Sequence, residues 1–175
     1  MSRCAVLLPG AWYATSAPLL WFAREATKAR GWEVVEQREL LGRTAQDPFE
    51  WAVEKAELAI GEASGADQVV VIGKSLASAA AGLVASLRLP AVWLTPLLSE
   101  QRVVDDLGRA SAPTLLVGSQ DDETWDAARI PDNPHIEVFE LEGLDHSLEV
   151  PGDPLASADR LKTVTGRIGE FLDAL

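Results

Sequence analysis

The stretch that decides the fold is residues 68–87, QVVVIGKSLASAAAGLVASL. Its first part, QVVVI, is Gln68 followed by four β-branched residues without polar alternation, which is typical of a strand covered on both faces, as in a parallel sheet. Its second part, residues 76–87, is apolar or small on every side, which predicts a helix buried against that sheet. Between them lies Gly73-Lys74-Ser75. The stretch therefore predicts a central strand, a sharp turn and a buried helix.

Similar apolar runs recur along the rest of the chain, separated by segments of helical character. This alternation is typical of α/β proteins. We therefore expect an α/β fold, a three-layer sandwich around a mostly parallel six-stranded sheet, formed by a single domain that spans residues 1–175. The expected strands are residues 4–8, 33–37, 68–72, 91–95, 114–117 and 136–141.

The expected helices follow from their end signals and their apolar spacing. Residues 17–30 end at Gly31, and Asp47-Pro48 supplies a cap and a first-turn proline for a helix that reaches about residue 62. Another helix is expected just after Ser99, and the apolar positions of residues 154–175 keep helical spacing.

Charge and cysteine content exclude several classes of function. The net charge of −12, from 27 acidic and 15 basic residues, repels nucleic acid and anionic membrane surfaces. The single cysteine, Cys4, cannot form an internal disulfide and begins an apolar run, which indicates a buried thiol in a reducing compartment. No secretory core or membrane span is evident. We expect a cytoplasmic protein that acts on a small molecule, with no nucleic-acid or membrane partner; its oligomeric state is open.

Ser75 is the candidate nucleophile. Gly73-Lys74-Ser75-Leu76-Ala77 has the strand, turn and helix context of a nucleophile elbow, with Ala77 where the usual G-x-S-x-G pattern has its last glycine. One alternative is that Ser75 only caps the helix. A second alternative is a phosphate-binding loop, but this motif needs a glycine where the chain has Gln68.

A serine nucleophile needs a general base, and the chain has two histidines. His135 begins the run 136–141 and is therefore expected at the sheet edge opposite Ser75. His146 follows the end of the same run, at the edge where Ser75 also emerges. We therefore predict His146 as the base, against the alternative that it is a surface loop residue.

The acid that orients the base should also follow a strand. The run 114–117 continues into Gly118-Ser119-Gln120-Asp121-Asp122, so both aspartates qualify. Their alternative is a solvated acidic loop or the cap of a helix that begins near residue 123. The chain order of serine, aspartate and histidine is the one found in α/β-hydrolases.

The elbow GKSLA, the strand end GSQDD and GLDHS before a final helix together resemble the α/β-hydrolase superfamily, particularly its compact lidless members related to dienelactone hydrolases. The likeness spans the chain and implies a minimal α/β-hydrolase fold. In that family a glycine-x-x-aspartate spacing carries the acid, and Gly118 to Asp121 fits it. The resemblance therefore favours Asp121 over Asp122.

Backbone amides are expected to form the oxyanion hole, which stabilises the negative charge of a tetrahedral intermediate. One amide is that of Leu76, which directly follows the nucleophile. The resemblance implies that the other comes from the loop after the first strand, where we assign Ala11. Trp12 and Trp125 also follow strand ends and are candidates to line the substrate site.

These residues predict a serine hydrolase that cleaves a small ester or thioester, with an amide as the alternative substrate, through an acyl-enzyme on Ser75. No metal-ligand spacing and no glycine-rich dinucleotide loop is present in the sequence, so neither a metal nor a cofactor is expected. The alternative from another class is a non-catalytic α/β-hydrolase-like domain that binds a ligand or a partner.

Overall fold

The computed structural model describes residues 1–41 and 46–175 and contains a six-stranded sheet in which every neighbouring pair is parallel. The predicted α/β class and six-stranded sheet are confirmed. Strand starts are close to those expected, and β3 and β5 extend two residues further. The strands are β1 Arg3–Leu8, β2 Glu33–Glu36, β3 Gln68–Lys74, β4 Ala91–Leu94, β5 Thr114–Ser119 and β6 Ile136–Leu141.

The strand order is β2-β1-β3-β4-β5-β6. The chain leaves β1 in one direction to form β2 and then returns to form β3 on the other side of β1. In open α/β sheets, ligands bind in the crevice outside the carboxyl ends of the strands at such a reversal. The loop after β1 and the turn after β3 meet at this crevice.

Helices cover both faces of the sheet, which gives the three predicted layers. Helices α1 and α5 pack together on one face, while the remaining helices cover the other. Asp47 and Asp153 cap α2 and α5 by accepting hydrogen bonds from the first-turn amides, and a proline follows each cap. The helices are α1 Pro18–Lys28, α2 Pro48–Ala63, α3 Ala81–Ser86, α4 Gln101–Leu107 and α5 Pro154–Asp173.

The predicted buried helix at residues 76–87 is divided in two. Residues Ser75–Ala80 form a 3₁₀ helix, and only Ala81–Ser86 form the α-helix α3. The Ser78 hydroxyl donates to the Ser75 carbonyl at 2.7 Å, three residues back, and accepts from the Leu97 amide at 3.1 Å. Through these two hydrogen bonds, Ser78 holds the start of the 3₁₀ helix against the segment after β4.

Close packing explains the glycine before the turn. Gly73 lies beside Leu8 of β1 and Trp93 of β4, and the Trp93 side chain is buried in the core. A Cβ atom on Gly73 would lie 2.6 Å from Trp93 Cζ3 and 2.9 Å from Ala77 Cβ. The side chain of Ala77 is only a methyl group, and it fits beside Gly73 because Gly73 has no side chain. Alanine can therefore replace the last glycine of the motif.

In the two described ranges, every helix is too short or too polar to cross a membrane.

Substitution of Gly73 tests this packing. Because a Cβ atom would overlap the Trp93 ring, Gly73→Ala should lower the free energy of unfolding by about 1–3 kcal/mol. Gly61→Ala in α2 is the matched control, because nothing lies within 4 Å of its added Cβ, and it should stabilise the protein by up to about 1 kcal/mol. Urea unfolding measures both. Equal stability of the two variants would contradict the packing argument.

Candidate active site

Ser75, the first residue of the 3₁₀ helix, directly follows β3 and has a strained backbone conformation. Its φ angle is 52°, in the left-handed region that non-glycine residues rarely adopt. Such strain costs on the order of 1–3 kcal/mol and persists where the surrounding structure enforces it. The turn lifts the Ser75 side chain to the carboxyl edge of the sheet, and Ser75 is only partly buried. This is the geometry of a nucleophile elbow.

His146 reaches Ser75 from the loop after β6. Its Nε2 lies 2.8 Å from Ser75 Oγ, and the imidazole side chain is 37% exposed. The loop is shaped by Asp145, whose Oδ1 accepts from the amides of Ser147 and Glu149 at 2.8 and 3.0 Å. His135 precedes β6 and is exposed at the opposite edge. The structure therefore brings together Ser75 and the histidine predicted for it.

The structure places Asp122, not Asp121, against the imidazole. Asp122 Oδ2 lies 2.8 Å from His146 Nδ1, whereas Asp121 Oδ2 accepts from the Gly143 amide at 2.6 Å. The prediction of Asp121 as the partner of His146 is wrong. Its physical reason is that β5 continues through Ser119, two residues past the predicted strand end. The Asp122 side chain is thereby turned inward, 1% exposed, and Asp121 is turned toward the loop surface.

Hydrogen bonds keep the buried Asp122 carboxyl ionised. Burial raises the pKa of this carboxyl, but the hydrogen bond from His146 and the bond from the Thr124 amide outweigh burial and hold the pKa below its usual value. The Thr124 amide and hydroxyl both donate to Asp122 Oδ1 at 2.9 Å. Thr124 was missed in the sequence because a hydroxyl two residues after an aspartate is a common turn feature.

The Asp122 contact determines which nitrogen of His146 carries the proton. An ionised carboxylate can only accept, so Nδ1 of the neutral imidazole donates to Asp122 and Nε2 is left as an acceptor. The Ser75 hydroxyl, 2.8 Å from Nε2, is then the donor. The arrangement can remove the proton of a serine hydroxyl as the oxygen attacks an electrophile.

Ala11 and Leu76 lie near each other on either side of Ser75. A Cβ atom added to Gly10 would lie 3.6 Å from Ser75 Cβ, so the loop after β1 passes directly against the elbow. The side chains of Ala11 and Leu76 belong to one small apolar cluster. The Leu76 amide lies in the first turn of the 3₁₀ helix, where amides have no partner within the helix.

The two candidate tryptophans have different environments. Trp12, in the loop after β1, is 84% exposed and is available to a ligand. Trp125 is buried, and its Nε1 donates to Glu140 Oε2 at 2.6 Å while its ring covers Gly118. The prediction that Trp125 lines the substrate site is wrong, because the missing side chain of Gly118 provides the space that the ring fills.

A cavity of about 270 Å³ lies between the loop after β1, the His146 loop and the start of α5. Ser147 follows His146 directly, so the cavity borders the loop that carries the imidazole. Most of its lining is apolar, and Glu149 is its one charged residue. Tyr13, Pro18, Leu19, Leu148, Pro154, Ser157, Ala158 and Leu161 complete the lining.

A buried lysine beside the site was missed in the sequence. Lys74 is 2% exposed, and desolvation lowers the pKa of its ammonium to about 8, although the negative charges of Asp122 and Asp145 act in the opposite direction. The signal in the sequence is a lysine that ends an apolar strand run. In the sequence alone, Lys74 stands out only as part of a phosphate-binding motif.

No group of three or more His, Cys, Asp and Glu side chains within the described residues is arranged to hold a metal ion.

Comparison with known proteins identifies the fold. No protein-family model matches the chain, and no curated protein matches it. Solved structures match it over nearly its whole length. One of them is XC6422 from Xanthomonas campestris, which is described as an α/β serine hydrolase without a lid. The match to XC6422 has a TM-score of 0.74 and 14% identity, and it covers 98% of this chain and 81% of the other. The chain has the α/β-hydrolase fold.

Two further structures share this α/β-hydrolase fold. The esterase Pf2001 from Pyrococcus furiosus has a TM-score of 0.77 and 13% identity, over 99% of this chain and 83% of the other. Est1E from Butyrivibrio proteoclasticus, with ferulic acid bound, has a TM-score of 0.73 and 13% identity, over 98% of this chain and 88% of the other.

In the present α/β-hydrolase fold, β4 ends at Leu94 and α4 begins at Gln101. The connection between them is too short to form a lid domain.

The identity of the acid can be tested by proton NMR of the imidazole. A proton on Nδ1 that is hydrogen-bonded to a buried carboxylate gives a strongly downfield signal. Asp122→Asn removes the charge of the acceptor, so the signal should move upfield or disappear. Asp121→Asn is the matched control and should leave it unchanged. Loss of the signal in Asp121→Asn alone would contradict the assignment of Asp122.

The burial of Lys74 predicts a pH-dependent stability. Because its pKa is about 8 in the fold against an ordinary 10.5, the unfolded chain binds more protons between these pH values. The contribution of Lys74 to stability is therefore least favourable below pH 8 and improves as the pH rises, by on the order of 3 kcal/mol in total. Urea unfolding of the wild type and Lys74→Met from pH 7 to about 10.5 measures it. A constant difference between the two proteins would contradict the prediction.

Proposed function

We propose that the protein is a serine hydrolase that cleaves small, uncharged esters through an acyl-enzyme on Ser75. The observation that carries the proposal is the continuous chain of contacts from Asp122 through His146 to Ser75, with 2.8 Å at each step. A serine that only caps a helix needs no histidine at its hydroxyl. The strained φ angle of Ser75 also favours a functional role over a capping role.

The acylation step follows from the positions of the protons. Ser75 Oγ attacks the carbonyl carbon of the ester as His146 Nε2 accepts the hydroxyl proton. The tetrahedral intermediate then collapses, the bond from carbon to the leaving oxygen breaks, and His146 gives the same proton to that oxygen. Asp122 stabilises the imidazolium that exists between these two transfers. The products of this half-reaction are the alcohol and an acyl ester on Ser75.

Deacylation repeats the sequence with water. His146 takes a proton from a water molecule whose oxygen attacks the acyl carbon, and the bond to Ser75 Oγ breaks as the proton returns to the serine. The partial exposure of His146 gives water access to the imidazole. One water is consumed, and a carboxylic acid is released.

The amides of Leu76 and Ala11 are the proposed donors to the oxyanion. Their support is that the Leu76 amide lies in the first turn of the 3₁₀ helix and that the Ala11 loop lies against the elbow through Gly10. Each such donor contributes on the order of 3 kcal/mol to the stabilisation of the transition state.

The small, uncharged substrate is supported by the size and the lining of the cavity that borders the His146 loop. Ligand pockets for drug-sized molecules usually measure about 300–1,000 Å³, and the cavity beside His146 holds about 270 Å³. Its apolar lining and the Glu149 carboxylate disfavour an anionic group, as does the net charge of −12. The description of Pf2001 as an esterase supports an ester over an amide.

Labelling with a fluorophosphonate tests the nucleophile. The reagent reacts with serine hydroxyls that are activated by a base, so the wild type should be labelled and Ser75→Ala should not. Ser86→Ala, an exposed serine that bonds only its own helix, is the control and should be labelled as the wild type is. Labelling that persists in Ser75→Ala would place the reactive group at another residue. Absence of labelling in the wild type would leave a non-catalytic binding domain as the better account.

A further inference from the structure

Lys74 occupies a position where the sheet would ordinarily place an apolar residue. Alternate residues of β3 face the same side, and Val70 and Ile72 on this side belong to the core shared with α1 and α5. Lys74 is the next residue in this row and is as buried as they are, with 2% exposure. A charged group at such a position needs a compensating interaction.

The compensating contacts of the Lys74 ammonium are neutral groups. Nζ donates to the main-chain carbonyl of His146 at 2.9 Å and to Thr95 Oγ1 at 3.2 Å, and it lies 4.8 Å from the centre of the Tyr13 ring. Within the described residues, no carboxylate lies within 4.0 Å of Nζ to form an ion pair. Among these residues, the Lys74 ammonium therefore binds two neutral oxygen atoms, one on Thr95 and one on His146, and does not bind a carboxylate.

Two consecutive residues of the elbow therefore hold one histidine. Lys74 binds the main chain of His146, and Ser75 binds its ring through Nε2. The sheet fixes the spacing of β3 and β6, but His146 lies in the loop beyond the end of β6 at Leu141, so the strands alone do not fix the distance between His146 and the elbow. The contact with Lys74 supplies this constraint directly.

We propose that Lys74 is a positioning residue that anchors the His146 main chain to the nucleophile elbow and thereby sets the distance between the imidazole and Ser75. This inference rests on the proposed hydrolase function. Asp122 holds the ring from its Nδ1 side, but a ring held at one end only can swing away from Ser75 when its main chain moves. Lys74 removes that freedom at the cost of burying its charge.

The backbone on both sides of the Lys74 ammonium is strained, which supports a functional role for its contacts. Thr95, the second acceptor of Lys74, has a φ angle of 46°, and Leu148, two residues after His146, has a φ angle of 58°. Non-glycine residues in this region are strained and are kept there by their surroundings. Both loops that bind the ammonium therefore include a strained residue.

Steady-state kinetics with p-nitrophenyl acetate test the anchor. Lys74→Met removes the donor and should lower kcat by about 10- to 100-fold, because small displacements of catalytic groups have effects of this size, while KM stays within about twofold. Lys74→Gln keeps a neutral N–H donor and should recover part of the loss. The control is Lys162→Met, an exposed lysine of α5, which should leave both constants unchanged.

Nitrogen NMR of the two histidines gives a readout that does not depend on turnover. In the wild type, His146 should show the single tautomer with a proton on Nδ1 and an Nε2 signal shifted by the hydrogen bond from Ser75. In Lys74→Met, the Nε2 signal should move toward that of an imidazole nitrogen without a hydrogen bond as the ring loses contact with Ser75, while Asp122 keeps the proton on Nδ1. His135, at the opposite edge of the sheet, is an internal standard and should not change. The Lys74 ammonium protons should also be protected from exchange with water. This can be measured in the wild type alone.

The outcomes separate the two proposals. Loss of kcat together with a shifted His146 Nε2 signal supports the anchor. Unchanged kcat and an unchanged His146 signal in Lys74→Met, or a wild-type ammonium that exchanges freely, would overturn it while leaving the hydrolase proposal in place. A wild type that neither turns over the ester nor reacts with a fluorophosphonate would overturn the hydrolase proposal, and the NMR signals alone would then decide whether Lys74 positions His146.

Discussion

The parallel arrangement of the sheet is the constraint on which the site depends. Because all six strands run in one direction, every turn that follows a strand emerges at the same edge. Ser75 follows β3, Asp122 follows β5 and His146 follows β6, so residues that are 71 and 24 positions apart in the chain can meet. The reversal of strand order at β1 adds the Ala11 loop on the other side of Ser75.

Several features of this edge are costly for stability and are explained by the site. Ser75 and Thr95 have strained φ angles. Lys74 buries an ammonium that has no carboxylate within 4.0 Å among residues 1–41 and 46–175. A region selected only for stability would hold an apolar residue at position 74 and a relaxed turn after β3. The stability lost at these positions is consistent with the proposed site, in which the distances between Lys74, His146 and Ser75 must be maintained.

The sequence was sufficient to predict the strands, the layers and the meeting of Ser75 and His146, because these depend on hydrophobic runs and on which end of a strand a residue follows. It was not sufficient to choose between Asp121 and Asp122. That choice depends on where β5 ends, and strand ends are the least certain feature of an apolar run. The burial of Trp125 depends on its contact with Gly118, which tertiary packing alone creates. Lys74 lay within the motif, but its role depends on a contact with a residue 72 positions away.

The most direct test of the account is to trap the acyl-enzyme. The protein is mixed with p-nitrophenyl acetate, quenched in acid within the first turnovers, digested and analysed by mass spectrometry. The account predicts an acetyl group on the peptide that contains Ser75, at the residue itself, and its absence after Ser75→Ala. Acetylation only at other residues, or turnover of the ester without an acyl group on Ser75, would contradict it.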